Sequence, residues 1–409
     1  MQPAKISIIG DFIDSQIYRG RLYLWTLDGT LCTYNWNNIV DSLYNDDKEK
    51  LAYTFTFKDG HYLYKHSLTE IFKDADFREL LLRKMGVVAL KTHVIRPNQL
   101  KQFLIQEQDV PGRELPTDTE IYNSKLYFIN DQGLFQSAAH RKTGKPVSSK
   151  PLKLWDCKLL SIRANRFPQI ALSAGEEGLY ELDASESDSF KFKQQVEKKI
   201  AQISNKHSSF ANYNHLSIYS SSLVESSFMA YYEWKSEGSK YYREYQGDYF
   251  QDAIFQHKQG LSWGAGDKIY LANENGIDIV RFSNDKKSRS ENKTFTLLDS
   301  YKKHIKKEIV GGNTAYYGNI IEFIDGLWVV RSDNEITKIN KPVTRWRIYP
   351  RSINYENQLH VILDDRLDVY SFNHDYFISQ VEKTMGLAFS LDDKERRGER
   401  ISYMEEFPF

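Results

Sequence analysis

One hairpin plan recurs along the chain and constrains its fold more than any other feature: a short apolar strand, a turn of Asp, Asn, Glu or Gly, and a second alternating strand. Residues 21–34 (RLYLWTLDGTLCTY) carry it most clearly. Asp28-Gly29 suits a tight hairpin because both central residues of a type I′ turn need positive φ. The plan returns at 125–135, 169–182, 268–280, 326–339 and 358–370, with a degenerate copy at 215–232. In the second and third copies a turn glycine, Gly133 or Gly178, stands just before an apolar pair. From the second copy onward the spacing is mostly about 45 to 60 residues, with a shorter last step, which is near the period of a repeat built from four-stranded units.

A hairpin cannot bury both of its faces alone, so the copies must stack, and closing the stack into a ring limits exposed strand edges. In this the chain resembles the β-propeller superfamily, each copy matching the two middle strands of a blade. The signatures of WD-repeat and kelch proteins are missing: Trp155-Asp156 is the lone Trp-Asp pair, and Gly311-Gly312 the lone double glycine. The resemblance implies an all-β chain forming a single closed propeller of about seven four-stranded blades, with eight as the alternative. It also implies that the segment from Lys5 to Ile9 completes the blade holding residues 358–370.

The interval between the first two hairpins is about twice the usual period. Within it, residues 51–64 read as one more hairpin. Leu68, Ile71, Phe72, Ala75, Leu80, Leu81 and Leu82 mark a short amphipathic helix, with Ser67 as N-cap and Gly86 as its stop. The expected organisation is therefore a propeller over 1–409, a hairpin-plus-helix insertion or extra blade over 50–110, and a C-terminal tail over 377–409. Residues 190–210 and 231–255 also break the plan.

Lys and Arg together equal Asp and Glu at 55 each, which argues against bulk nucleic-acid binding, since phosphate-binding chains show a basic excess. Cys32 and Cys157 are the only cysteines. They are too few for a disulfide framework and lack zinc spacing, which points to a reducing, cytoplasmic setting. No apolar run approaches the ~20 residues of a membrane-spanning helix, so no membrane association is expected. Asn292-Lys293-Thr294 matches a glycosylation triplet that matters only in a secreted protein.

His61, His66 and His93 fall in the first interval, but they lack i, i+4 spacing, and a structural role is preferred to a metal or acid–base site. Asp364, Asp365 and Asp368 lack the pattern of a calcium loop and read as turn residues. No nucleophile elbow, Walker loop or dinucleotide fingerprint is present, so neither cofactor nor metal is expected. Residues 241–250 (YYREYQGDYF) stand apart, because Tyr and Arg are enriched at binding hot spots. Tyr241, Tyr242, Arg243, Tyr245 and Tyr249 are thus the candidate partner-binding set, set against the alternative that these rings pack between blades. Arg141, Lys142, Lys145 and Lys150 form a basic turn region that reads as solvated loop. The functional expectation is a non-catalytic protein-binding scaffold or subunit of a larger intracellular assembly. The alternative is a propeller hydrolase or lyase, or a ligand sensor, with its site at the central channel.

Overall fold

The computed structural model describes residues 2–58, 74–111, 114–139, 147, 150–185, 200–238, 240–282, 295–315, 317–331, 335–352 and 354–372. Their strands pair into seven sheets. Blade 1 joins Phe12–Tyr18, Arg21–Thr26, Thr30–Asn35 and Leu104–Asp109. Blade 2 joins Asp118–Tyr122, Lys125–Asn130, Gly133–Ala138 and Leu152–Trp155. Blade 3 joins Ser161–Ala164, Gln169–Ser173, Leu179–Asp183 and Ile200–Ser204. Blade 4 joins Phe210–Asn214, Ser217–Ser221, Phe228–Glu237 and Lys240–Phe250. Blade 5 joins Leu261–Ala265, Lys268–Asn273, Gly276–Phe282 and Phe295–Lys302. Blade 6 joins Ile309–Ala315, Gly318–Phe323, Gly326–Arg331 and Ile336–Ile339. Blade 7 joins Arg345–Ile348, Gln358–Leu363, Arg366–Ser371 and Ala4–Ile9.

From blade 7 through blade 1 and round to blade 6, neighbouring blades touch through their first strands, which therefore surround the axis. Tyr317, Ile320, Val329, Leu359 and Val361 close the remaining seam between blades 6 and 7. The middle strands are apolar on both faces because each blade is sandwiched between two others. In blade 1, alternation sends Leu22 and Leu24 into the cluster shared with blade 7, and Tyr23 and Trp25 into the cluster shared with blade 2.

The ring closes as the sequence implied. Ala4–Ile9 pairs antiparallel with Arg366–Ser371, placing Ile6 opposite Val369. A short strand, His93–Ile95, adds to its outer edge in parallel.

Six of the seven expected hairpins are the second and third strands of their blades, but residues 326–339 are the third and fourth strands of blade 6. The true middle hairpin there is Gly318–Phe323 with Gly326–Arg331, a shift that also shortened the apparent last interval. The repeated glycine has a packing cause: a Cβ on Gly133, Gly178, Gly276 or Gly326 would collide with the carbonyl of Trp155, Ser204, Tyr301 or Ile339, each at or next to the fourth strand of the same blade. At Asp28-Gly29 the hairpin forms, but Gly29 alone takes a positive φ of 86°. Thr26 and Asp28 hold the turn through their side chains, so it is not type I′.

The extra material of the first interval lies between the third and fourth strands of blade 1. Where a hairpin was expected from residue 51, the chain is helical over Asp47–Tyr53, capped by the Asp46 side chain, and continues as a π-helical turn over Thr54–Lys58; residues 59–64 lie outside the described residues. The widened turn frees carbonyls, and the ring uses them. Thr56 O accepts from Asn357 and Ser371, and Phe57 O from Trp36 and Gln358, at 2.6 to 3.0 Å. The later helix is Ala75–Leu90, capped by Asp74, and it runs through Gly86 rather than stopping there. Ser67 and the tail 377–409 lie outside the described residues.

Candidate partner surface

All five candidate residues fall on the fourth strand of blade 4. Together with Phe228–Glu237 it forms a long two-stranded ribbon whose register slips between Tyr231 and Tyr232. Such a bulge increases twist and re-aims side chains. Of the four whose side chains are described, two are exposed and two are turned towards neighbouring blades.

Tyr242 and Tyr245 are exposed, at 45% and 43%. Arg243 turns inward. Its guanidinium stacks on the Tyr232 ring at 3.8 Å, donates to Leu216 O at 2.7 Å and pairs with Glu181 of blade 3. Glu181 also accepts from the Tyr213 hydroxyl at 2.8 Å. Burial pushes the Glu181 carboxyl above its usual range, with Arg243 and Tyr213 pulling against it. Tyr249 is half-buried and packs on Phe295 of blade 5 and Tyr231, at 5.2 and 5.7 Å. Arg243 and Tyr249 thus join blade to blade. The Tyr241 side chain lies outside the described residues, while its backbone pairs with Ser236.

Burial, together with a hydrogen bond to Asp248 at 2.9 Å, pushes the Tyr245 phenol up to about 12. Lys235, opposite Tyr242, reaches Glu244 at 3.5 Å. The exposed part of the ribbon is therefore a mixture of rings and paired charges. The structure adds two rings that the sequence reading passed over. Trp234 on the ribbon and Phe167 in the first turn of blade 3 are 48% and 44% exposed and meet edge to face at 5.9 Å. For Trp234 the signal was available, in the aromatic and charged run YYEWKSE that extends past the blade. Phe167 has no comparable signal.

The axis holds a second cluster. Arg347 donates to Asp14 through Nε at 2.5 Å and Nη2 at 2.6 Å, to Asp118 at 2.8 Å and to Thr119 O at 3.0 Å. Arg345 approaches Asp14 at 3.3 Å and Asp118 at 3.9 Å, and Arg163 donates to Asp118 at 2.8 Å. Burial opposes ionisation of Asp118, but Arg163, Arg347 and Arg345 outweigh it and hold the carboxyl well below its usual range. His360 beside this cluster is pushed down to about 3 by burial and by Arg347. Its Nδ1 lies 3.1 Å from Ser15 Oγ and 3.0 Å from the Tyr349 hydroxyl. Both carboxylates are engaged by arginine side chains, and the His360 imidazole is neutral at neutral pH.

Among the other sequence candidates, His93 is buried in the short strand beside blade 7, with Nε2 3.3 Å from the Tyr53 hydroxyl, whereas His61 and His66 lie outside the described residues. Asp368 is buried and accepts from Ser7 at 2.6 Å and Arg366 at 3.1 Å, stapling the closing strand. Arg141, Lys142, Lys145 and the triplet at 292–294 are outside the described residues. Among the described residues no group of three His, Cys, Asp or Glu is placed to hold a metal ion, and no helix is long and apolar enough to cross a membrane.

No family model and no curated protein matches the chain. Among solved structures it is similar to BBS1N in complex with ARL6DN at 9% identity, covering 91% of this chain and 98% of that one with a TM-score of 0.47. The WD40 β-propeller domain of Doa1 is 9% identical over 90% and 93% of the two chains, with a TM-score of 0.44. BamB from Moraxella catarrhalis is 10% identical over 90% and 82%, with a TM-score of 0.39. These likenesses are of fold, and the fold itself rests on the ring of seven sheets: the chain is a β-propeller for which no narrower family follows.

Proposed function

We propose that this propeller works as a non-catalytic protein-binding scaffold, a subunit of a larger cytoplasmic assembly, and that the blade 4 ribbon receives its partner. The observation that carries the proposal is the group of exposed rings, Trp234, Phe167, Tyr242 and Tyr245, held on and beside a ribbon braced through Arg243. Rigid aromatic side chains offer large contact area at low entropic cost. Two free cysteines suit a reducing compartment. The enzyme alternative finds less support, since the axial carboxylates and His360 are engaged as described.

The test is to tag the chain in its host, recover it at mild salt and identify what co-purifies. A W234S/Y242S/Y245S variant should keep its melting temperature and lose a stoichiometric partner, each ring accounting for about tenfold or more in affinity if it is a hot spot. Recovery of the unaltered chain alone would overturn the scaffold reading. A partner kept by the variant would move the interface elsewhere on the ring.

A further inference from the structure

The axis is unevenly charged. The first strands of blades 4, 5 and 6, Phe210–Asn214, Leu261–Ala265 and Ile309–Ala315, contain no charged residue. Strand charge around the channel therefore belongs to blades 7, 1, 2 and 3. There Glu120 is matched by Arg351, leaving the carboxylates of Asp14 and Asp118 against the guanidiniums of Arg163, Arg345 and Arg347. The strands themselves balance three basic against three acidic side chains, so the local excess of one guanidinium over Asp14 and Asp118 arises because Arg351, outside the strands, takes Glu120.

Arg347 is buried, and four of the five N–H donors a guanidinium carries are committed to Asp14, Asp118 and Thr119. Arg163 and Arg345 differ. Arg163 uses Nη1 alone, on Asp118 and Ile162 O, and Arg345 uses Nη1 on Asp14 and Nη2 on Thr117 O. Their side chains remain 33% and 27% exposed. Both flank Asp118, one at each carboxylate oxygen, which brings the two forks close together with donors to spare. Fork-shaped donors fixed beforehand by carboxylates are suited to planar or tetrahedral oxyanions, and confinement between protein walls strengthens the attraction.

We propose that the channel binds one small oxyanion, a phosphate or carboxylate group, between Arg163 and Arg345. Asp14, Asp118 and Arg345 lie near the starts of their strands, so the site is nearest the face where fourth strands hand over to first strands. The long blade 1 insertion leaves from the opposite face. This site is independent of the ribbon and goes beyond the scaffold reading.

The test is equilibrium dialysis of the full chain against inorganic phosphate, with ionic strength held constant by sodium chloride. About one phosphate per chain should bind with a millimolar or tighter dissociation constant, equivalent to at least about 4 kcal/mol. R163Q and R345Q should each weaken binding at least tenfold, and R163K and R345K, which keep the charge but lose the fork, should fall between. Competing acetate separates the two chemistries: displacement assigns a site that also takes carboxylates, and lack of displacement assigns a phosphate site. Absence of saturable binding to the unaltered chain overturns the proposal. So does binding that neither glutamine variant weakens, and the dialysis of unaltered protein decides even if a variant does not fold.

Discussion

Arg243 and Tyr242 are neighbours on one strand, yet the structure gives them opposite tasks. Arg243 is nearly buried, neutralises Glu181 across the blade 3–blade 4 seam and covers the Tyr232 ring. Its removal strands a buried carboxylate, a loss that typically costs about 3–5 kcal/mol and is softened here to the extent that Glu181, already raised by burial, takes up a proton. R243A should therefore lower unfolding free energy by roughly 2–4 kcal/mol in urea titration. Y242S, at an exposed position, should change it by no more than about 0.5 kcal/mol. Equal effects would mean that the ribbon is not braced at Arg243. The sequence placed both residues in one hot-spot segment because composition reports residue types, while strand alternation and the bulge at Tyr231–Tyr232 decide which of them faces the ring.

At the scale of elements, the closing strand carries a large responsibility for a short segment. Ile6 and Ile8 are fully buried, with the edge of Arg366–Ser371 on one side and His93–Ile95 on the other. I8D would bury an unpaired carboxylate and delete apolar contact within the largest core cluster. A loss of about 4 kcal/mol or more is expected, together with increased protease cleavage near the N-terminus, whereas K5Q, which gives up a half-exposed ion pair to Asp368, should cost no more than about 1 kcal/mol. Unchanged protease resistance in I8D would show that the closing strand is dispensable. Hairpins like this ring's were legible because a turn, a glycine and two apolar runs are local signals, and the clash at Gly133, Gly178, Gly276 and Gly326 repeats in register with them. Residues 51–58, the described part of the hairpin expected over 51–64, were misread because Phe55 and Phe57 alternate as in a strand. The Asp46 cap and the π-helical turn bury them from a helix instead. Blade 6 was read one strand late because both of its hairpins carry turn residues.

The whole ring is sealed where its ends meet, and charge contributes to that seal. Asp14 and Ser15 of blade 1 face Arg347 and His360 of blade 7, more than three hundred positions away in the chain. No linear pattern could join them, which is why the axial cluster was invisible in the sequence while the hairpins were not. This seam sets a pH dependence. His360 is neutral in the fold down to about 3, and unfolded it would titrate near its ordinary 6.5. Between these values the unfolded chain holds a proton that the folded chain refuses, so stability is complete above 6.5 and falls as pH drops, by about 1.4 kcal/mol per unit for one proton. His93, lowered by burial, acts in the same direction. The raised carboxyls of Glu181, Asp248 and Glu322 act the other way, because folding favours their protonated forms. H360Q separates the contributions. Unfolding free energy measured from pH 8 to pH 4 should fall more steeply in the unaltered chain than in H360Q, the gap opening below 6.5 and widening by about one proton's worth per unit. Parallel curves would mean that His360 is protonated without cost, and that the seam between the first and last blades is not held in the neutral form the geometry implies.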